Sequence, residues 1–347
     1  MTDITLQANH RNHIVDIGKG IAIILMCIGH SYCPEYLGSF ISLFHMAFFF
    51  MMSGYFFSLK KVQTPKNFFL KRITGLYIPF LKWGIIFVFL HNIFVNLSLL
   101  SDARLYSFKE MCWKAFTTIP RFIPTEEMMG PYWFLSSLFY VSIFSFAIFW
   151  ITEKLKIKES IRFCLFALFY LIGFILLYKD GLIFGGIIRT FVVSVLFYLG
   201  FLWKKFQHRI RYTVIGGFIS FIILCIATLC NQHISIPDLK FENPISFLIY
   251  SISGCYLLLY ISNILNNNNY TQRIFSYIGE HTLTILLANI LCRRILHVIR
   301  FLLYETDSPL SSPSTDSLWW ILYTVFMVCA PLFVRYGYLK IKRQIKN

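Results

Sequence analysis

The sequence predicts an all-α, polytopic membrane bundle, and three observations predict it. Of its 347 residues 57% are hydrophobic and only 14% charged, with a mean hydropathy of +0.64, a composition that excludes an ordinary soluble domain. The apolar residues gather in runs close to the twenty or so that a bilayer requires. Basic residues then fall on alternate connections between those runs, the pattern that orients spans in a membrane.

Ten spans are expected in order, at about 14–33, 40–59, 75–97, 131–151, 161–178, 182–203, 212–230, 244–264, 274–292 and 318–339, each near membrane length. The first is apolar from Ile14 to Tyr32 apart from a few ionisable groups, lacks an A-x-A-like cleavage site after it, and is followed almost at once by a second run, so it is read as a retained helix and not a signal peptide. The second is the Phe-rich stretch around Phe44 to Phe56, and the third follows Lys71-Arg72. A long connection from Ser98 to Gly130 leads to the fourth. Lys154, Lys156, Lys158 and Arg162 separate the fourth from the fifth, and Lys204, Lys205, Arg209 and Arg211 the sixth from the seventh. Asn266 to Asn269 is a polar loop before the ninth, and Ser308 to Ser317 a Pro/Ser-rich turn before the tenth, which runs into Lys340, Lys342, Arg343 and Lys346.

Together with Lys60, Lys61, Lys66, Lys71 and Arg72, these basic connections hold roughly two thirds of the Lys and Arg and place both termini in the cytoplasm. The formal charge of +16 is therefore a topological signature with affinity for anionic membrane lipid, not a nucleic-acid footprint. The nine cysteines show neither a disulfide framework nor zinc spacing, and no metal site is expected. Without a 20–50-residue repeat or a soluble segment, the simplest organisation is a single transmembrane domain over 1–347.

Asp16, Lys19 and His30 stand out because an ionisable side chain at membrane depth costs about 2.5–3.5 kcal/mol on insertion scales and marks a site by default. At about 100° per residue the three fall within roughly 60° of one another, with Ile23 and Cys27 on the same stripe. Lys19 and His30 are about 16 Å apart along the axis, roughly half the hydrocarbon thickness. The stripe links the two sides of a membrane.

Arg11, Asp16, Lys19-Gly20 and Gly29-His30, followed by the run from Phe44-His45 to Ser53-Gly54-Tyr55-Phe56, resemble the first two spans of the acyltransferase-3 family of membrane O-acyltransferases. The branch grouped with fucose 4-O-acetylases is the most similar. Later stretches agree in order and spacing: Phe69 to Pro79 with Lys71-Arg72, Trp133-Phe134-Leu135, Phe197-Tyr198-Leu199-Gly200-Phe201 before Lys204-Lys205, and Tyr277-Ile278-Gly279 through Thr282-Leu283-Thr284-Ile285. Two departures matter. Many relatives carry Arg where this chain has Lys19, which keeps the charge but not the bidentate fork. The ninth span of relatives often ends its motif in His, where this chain has Asn289, so that role does not carry over. The extra esterase-like domain of some larger members is not expected, since the sequence ends shortly after the tenth span.

The resemblance implies transfer of an acyl group, acetyl first, from cytoplasmic acyl-coenzyme A to a hydroxyl of an extracytoplasmic or lipid-linked glycan, in a bacterial inner membrane, with the donor as substrate and no permanently bound cofactor. Such chemistry needs a base for the hydroxyl proton and a donor for the oxyanion, and His is suited to the first. His30 is the candidate base, against a plain interfacial histidine bonding a carbonyl. His45, expected at similar depth on the antiparallel second span, would orient or polarise it, or be interfacial only. Lys19, Arg11 and Arg72 are the candidate donor-phosphate ligands, whereas Lys60, Lys61 and Lys66 are read as topological. Asp16 is expected to hold Lys19 as an i,i+3 pair. Arg189, after Gly185-Gly186, needs a carboxylate, substrate or backbone carbonyls; Glu280 and His281 are candidate partners for a basic group. Trp113, Tyr106, Phe116, Glu126 and Glu127 in the long connection suggest either a sugar platform or an interfacial amphipathic helix. Two other classes share the composition: a polysaccharide or lipid transporter or flippase, which should show symmetric broken halves, and a non-catalytic partner of an export complex, which would tolerate loss of His30. A homo-oligomer is compatible with all three.

Overall fold

The computed structural model describes residues 12–100, 104–180, 185–304, 308, 310–315 and 317–346. Among them every regular element is helical, and the one extended pairing is an isolated bridge between Ser235 and Lys240. Eight helical runs are long and apolar enough to cross a membrane, and the run at Val214–Leu229 is apolar but shorter.

Helix α1 (His13–Gly29) starts where the Asn12 side chain accepts the Val15 amide, 3.3 Å away. It ends a turn earlier than its apolar pattern suggests. His30 is the C-cap, and Tyr32 takes a left-handed φ of 64°. Pro34 explains the stop: it has no amide to give and disfavours helical backbone at the residue before it. The second span is likewise two helices, α2 (Glu35–Ser42) and α3 (His45–Tyr55), broken at Leu43-Phe44. Phe44 is pressed against Gly254, on which a Cβ would lie 2.0 Å from its own Cβ.

Helices α4 (Pro65–Arg72) and α5 (Ile78–Asn96) join through a π-turn at Ile73–Tyr77 into one 32-residue run. The long connection carries α6 (Phe108–Trp113) and then folds inward, burying Ala115, Ile119, Met128 and Met129. Phe108, Trp113 and Phe116 stay exposed on its other side. Helices α7 (Trp133–Lys154), α8 (Glu159–Asp180), α9 (Gly185–Lys205), α10 (Val214–Leu229) and α11 (Pro244–Leu265) follow the expected spans closely.

The ninth span is a correction. The chain breaks at His281, so that α12 (Asn269–Glu280) is a short amphipathic helix packed on α1, and the membrane-length helix is α13 (Thr282–Tyr304). The buried residues of α12 are Ser276 and Gly279, which face α1, while Ile274 and Tyr277 are exposed on its apolar face, so this stretch belongs to an amphipathic helix and not to a span. Arg293, Arg294, His297 and Arg300, which a span ending at 292 leaves outside, thus lie within α13. Helix α14 (Trp319–Lys346) completes the bundle.

Two close crossings hold the centre. A Cβ on Gly20 of α1 would sit 2.2 Å from the Phe275 carbonyl oxygen, and one on Gly279 of α12 1.9 Å from that of Asp16. A Cβ on Gly54 of α3 would lie 1.7 Å from the Phe197 carbonyl oxygen of α9, and one on Gly200 1.7 Å from that of Met51. Small residues allow such backbone contact between membrane helices, where lipid provides no hydrophobic drive for association. Basic groups converge at one end: Lys205 pairs with Glu159 at 3.0 Å, Arg162 bridges Glu153 and Glu159, and Tyr55 joins Asn12 to Gln207 through 2.8 Å hydrogen bonds.

Candidate functional site

Four cavities run in series along the bundle, each sharing at least one wall residue with the next. The first, about 300 Å³ at the basic end, is lined by Lys61, Asn67, Lys71 and Arg72. Lys61 donates to the Phe56 carbonyl, and burial first, then the neighbouring Arg72 and Lys71, lower its ammonium to about 8. Phe56 and Arg72 also wall the second cavity, about 230 Å³, together with Lys19, Ser53 and Gly75. There Lys19 Nζ is 2.8 Å from Asp16 Oδ1, and Arg72 Nη2 donates to Ser53 Oγ at 3.1 Å with its guanidinium 5.3 Å from the Phe68 ring. The π-turn between α4 and α5 presents Gly75 to this space, a local irregularity of the kind often found at functional positions.

Leu286 of α13 lines both the second and the third cavity. The third, about 360 Å³, holds His30, His45, Ser42, Trp133 and His233. The break between α2 and α3 shapes it. Ile41, in the last turn of α2, accepts the Phe44 amide at 3.3 Å and the His45 ring Nδ1 at 2.8 Å. A carbonyl only accepts, so Nδ1 carries the proton and a neutral His45 keeps its lone pair on Nε2. The fourth cavity, about 480 Å³, shares His30 and His233 with the third and adds Tyr32, Glu35, Asn231 and Arg293.

The structure therefore brings Lys19 and Arg72 together in one cavity and His30 and His45 in another. Asp16 is the i,i+3 partner of Lys19. His30 reaches its place as a helix cap and not as part of a continuous helical stripe. Arg11 lies outside the described residues. Arg189 meets backbone carbonyls: it donates to those of Ile236 (3.1 Å) and Pro237 and to Ser137 Oγ (3.4 Å), and lies 5.7 Å from the Trp133 ring. Its role here is to tie down the 231–238 loop, whose His233, Ile236 and Asp238 wall the third cavity. Glu280 ends the α12 helix that packs on the Asp16–Gly20 part of α1, and His281 Nδ1 bonds the Tyr277 carbonyl at 2.7 Å.

The aromatic residues and the carboxylates named for a sugar platform are placed differently. Trp113 and Phe116 are exposed on the outside of the bundle, Glu126 is buried against His91 (2.7 Å) and Lys114 (3.4 Å), and Glu127 pairs with Arg294. The aromatic that does reach the third cavity is Trp133. Asn289 is fully buried, facing Cys27 Sγ at 3.4 Å and Met327 Sδ at 3.5 Å, so it fills a helix seam and lines none of these cavities. Sequence reasoning missed His233 and Arg293. His233 carried no signal beyond polarity in a loop, whereas Arg293, Arg294, His297 and Arg300 recur at near-helical spacing and were readable once the span was shifted.

Among the described residues no His, Cys, Asp and Glu cluster could hold a metal ion, and all nine cysteines are free. A family model described as an acyltransferase domain matches residues 12–336. Neither a curated protein nor a solved structure matches the chain.

Proposed function

The chain belongs to the acyltransferase-3 family, and from that premise we propose that it moves an acetyl group from acetyl-coenzyme A at the basic end to a glycan hydroxyl at the opposite end. The observation that carries this reading is the series of cavities, which leads from a cationic vestibule to a histidine pair through a wall that both halves share at Leu286. Lys61, Lys71, Arg72 and Lys19 suit the donor phosphates, and the eleven residues from Lys19 to His30 span about 16 Å of helix, a distance for the thioester arm to cover. Positive-inside logic makes the basic end cytoplasmic, in a bacterial inner membrane.

At the far end the acceptor hydroxyl attacks the thioester carbonyl. The new C–O bond forms as the C–S bond breaks, the hydroxyl proton passes to His30, and the coenzyme leaves as its thiol after taking that proton back. His30 lines both the third and fourth cavities, where donor and acceptor meet. His45, with Nδ1–H held by Ile41, offers Nε2 to steady the imidazolium that forms on His30. Trp133 gives the sugar an apolar face.

The test compares acetyl content of the surface glycan in a deletion strain complemented with the wild-type chain or with His30→Ala. Acetylation restored by the wild type and not by an inserted, well-expressed His30→Ala supports the assignment. Acetylation unchanged by the deletion, or restored by His30→Ala, refutes it.

A further inference from the structure

Helix α13 carries four basic side chains toward the end of the bundle away from Lys19, and three of them have close partners at their charged or ring nitrogens. Arg294 pairs with Glu127, Arg300 donates to the Ser311 carbonyl and hydroxyl, and His297 sits between two phenols, with Tyr32 Oη 2.9 Å from Nε2 and Tyr323 Oη 3.0 Å from Nδ1. Arg293 differs. Among the described residues its terminal nitrogens make one hydrogen bond, a long 3.4 Å contact from Nη1 to the His30 carbonyl, and no ion pair, its Nε is buried without a partner like those of Arg294 and Arg300, and its guanidinium lies 5.5 Å from the Tyr32 ring on the wall of the 480 Å³ cavity. Glu35, the carboxylate on that wall, forms no salt bridge with it among the described residues and is exposed at the start of α2.

A guanidinium at this depth is unfavourable unless it meets an anion or water, and its planar fork matches the paired oxygens of a carboxylate or phosphate. Its support is fixed. Tyr32 holds a left-handed backbone, with φ 64°, that a bulky residue seldom adopts, and the bond to His297 keeps the ring beneath Arg293. Strain retained in this way is characteristic of ligand clamps. Resting on the acyl-transfer reading above, we propose that the acceptor is an acidic glycan unit whose carboxylate or phosphate docks on Arg293, presenting a neighbouring hydroxyl to His30.

The full chain in detergent micelles is titrated with three probes, glucuronate, glucose 1-phosphate and glucose, by calorimetry, for wild type, Arg293→Gln and Arg293→Lys, each first checked for a monodisperse, cooperatively unfolding sample. The expected result is at least about tenfold tighter binding of one or both anions than of glucose, lost in Arg293→Gln and partly kept in Arg293→Lys. Whichever anion binds tighter tells a sugar acid from a sugar phosphate. Equal affinity for all three probes, or an anion preference that survives Arg293→Gln, overturns the proposal. If Arg293→Gln fails to fold, the Arg293→Lys chain decides: an undiminished preference there refutes a bidentate dock. Binding needs no turnover, so anion preference without glycan acetylation in the strains above would overturn the acyl-transfer reading and leave the anion site supported.

Discussion

Replacing Gly200 with alanine should impair the protein far more than the same change at Gly186 on the same helix. The Cβ at position 200 would lie 1.7 Å from the Met51 carbonyl oxygen, whereas ordinary contact begins at 3.4 Å, so α3 and α9 must part by the difference, 3.4 − 1.7 = 1.7 Å. The obstacle is backbone, and the reciprocal contact, Gly54 against the Phe197 carbonyl, is equally tight, so no rotamer change relieves it. Overpacking of this kind costs about 1–3 kcal/mol. Because α3 opens with His45, the same displacement moves the histidine pair, and a misplacement of about 1 Å at reacting groups costs on the order of 100-fold in rate. Position 186 has nothing within 4 Å of the added methyl group. The assay measures thermal unfolding in detergent and acetyl transfer from labelled donor in membrane vesicles for both variants. Gly186→Ala should match wild type; Gly200→Ala should unfold earlier and, where it inserts, turn over on the order of 100-fold more slowly. Equal behaviour of the two variants would refute the argument that this crossing sets the site.

Lys19→Gln and Arg72→Gln, which face the second cavity together, should raise the KM for acetyl-coenzyme A more than that for the acceptor, since a ground-state phosphate contact is lost; a donor KM unchanged in both would eliminate them as phosphate ligands. If Lys19 serves only its pair with Asp16, the double change Asp16→Asn with Lys19→Gln should recover what either single change loses. The ammonium of Lys61, lowered to about 8 by burial and by Arg72 and Lys71, is cationic below that pH and neutral above it. The donor KM should therefore rise between about pH 7 and about pH 9, and Lys61→Gln should flatten that rise; a wild-type KM constant across the window would exclude Lys61 from donor binding. Reporter fusions after Lys61, Lys156 and Lys205 should report cytoplasm and those near Thr118 and Asp238 the opposite side, and a cytoplasmic signal at Thr118 would invert the whole scheme.

What the sequence determined by itself is whatever depends on one segment at a time. Membrane class follows from composition, most spans from the length of apolar runs, and the Asp16–Lys19 pair from i,i+3 spacing, because each is a property of local pattern. His30, His45, Lys19 and Arg72 were recognisable because ionisable groups in apolar runs are conspicuous. Reading failed where two segments had to be compared. The glycines of the Lys19-Gly20, Ser53-Gly54, Leu199-Gly200 and Ile278-Gly279 motifs are partners in two helix crossings, a pairing that no single run contains. The stretch 274–292 was apolar enough for a span, yet its first part packs on α1 as an amphipathic helix and the span starts at Thr282. Tertiary structure alone decided that Glu126 is consumed by His91, that Arg189 anchors the loop bearing His233, and that Arg293 opens onto the cavity beside His30. Side-chain partners are set by which helices touch and at what register, and that depends on close packing between segments far apart in the chain.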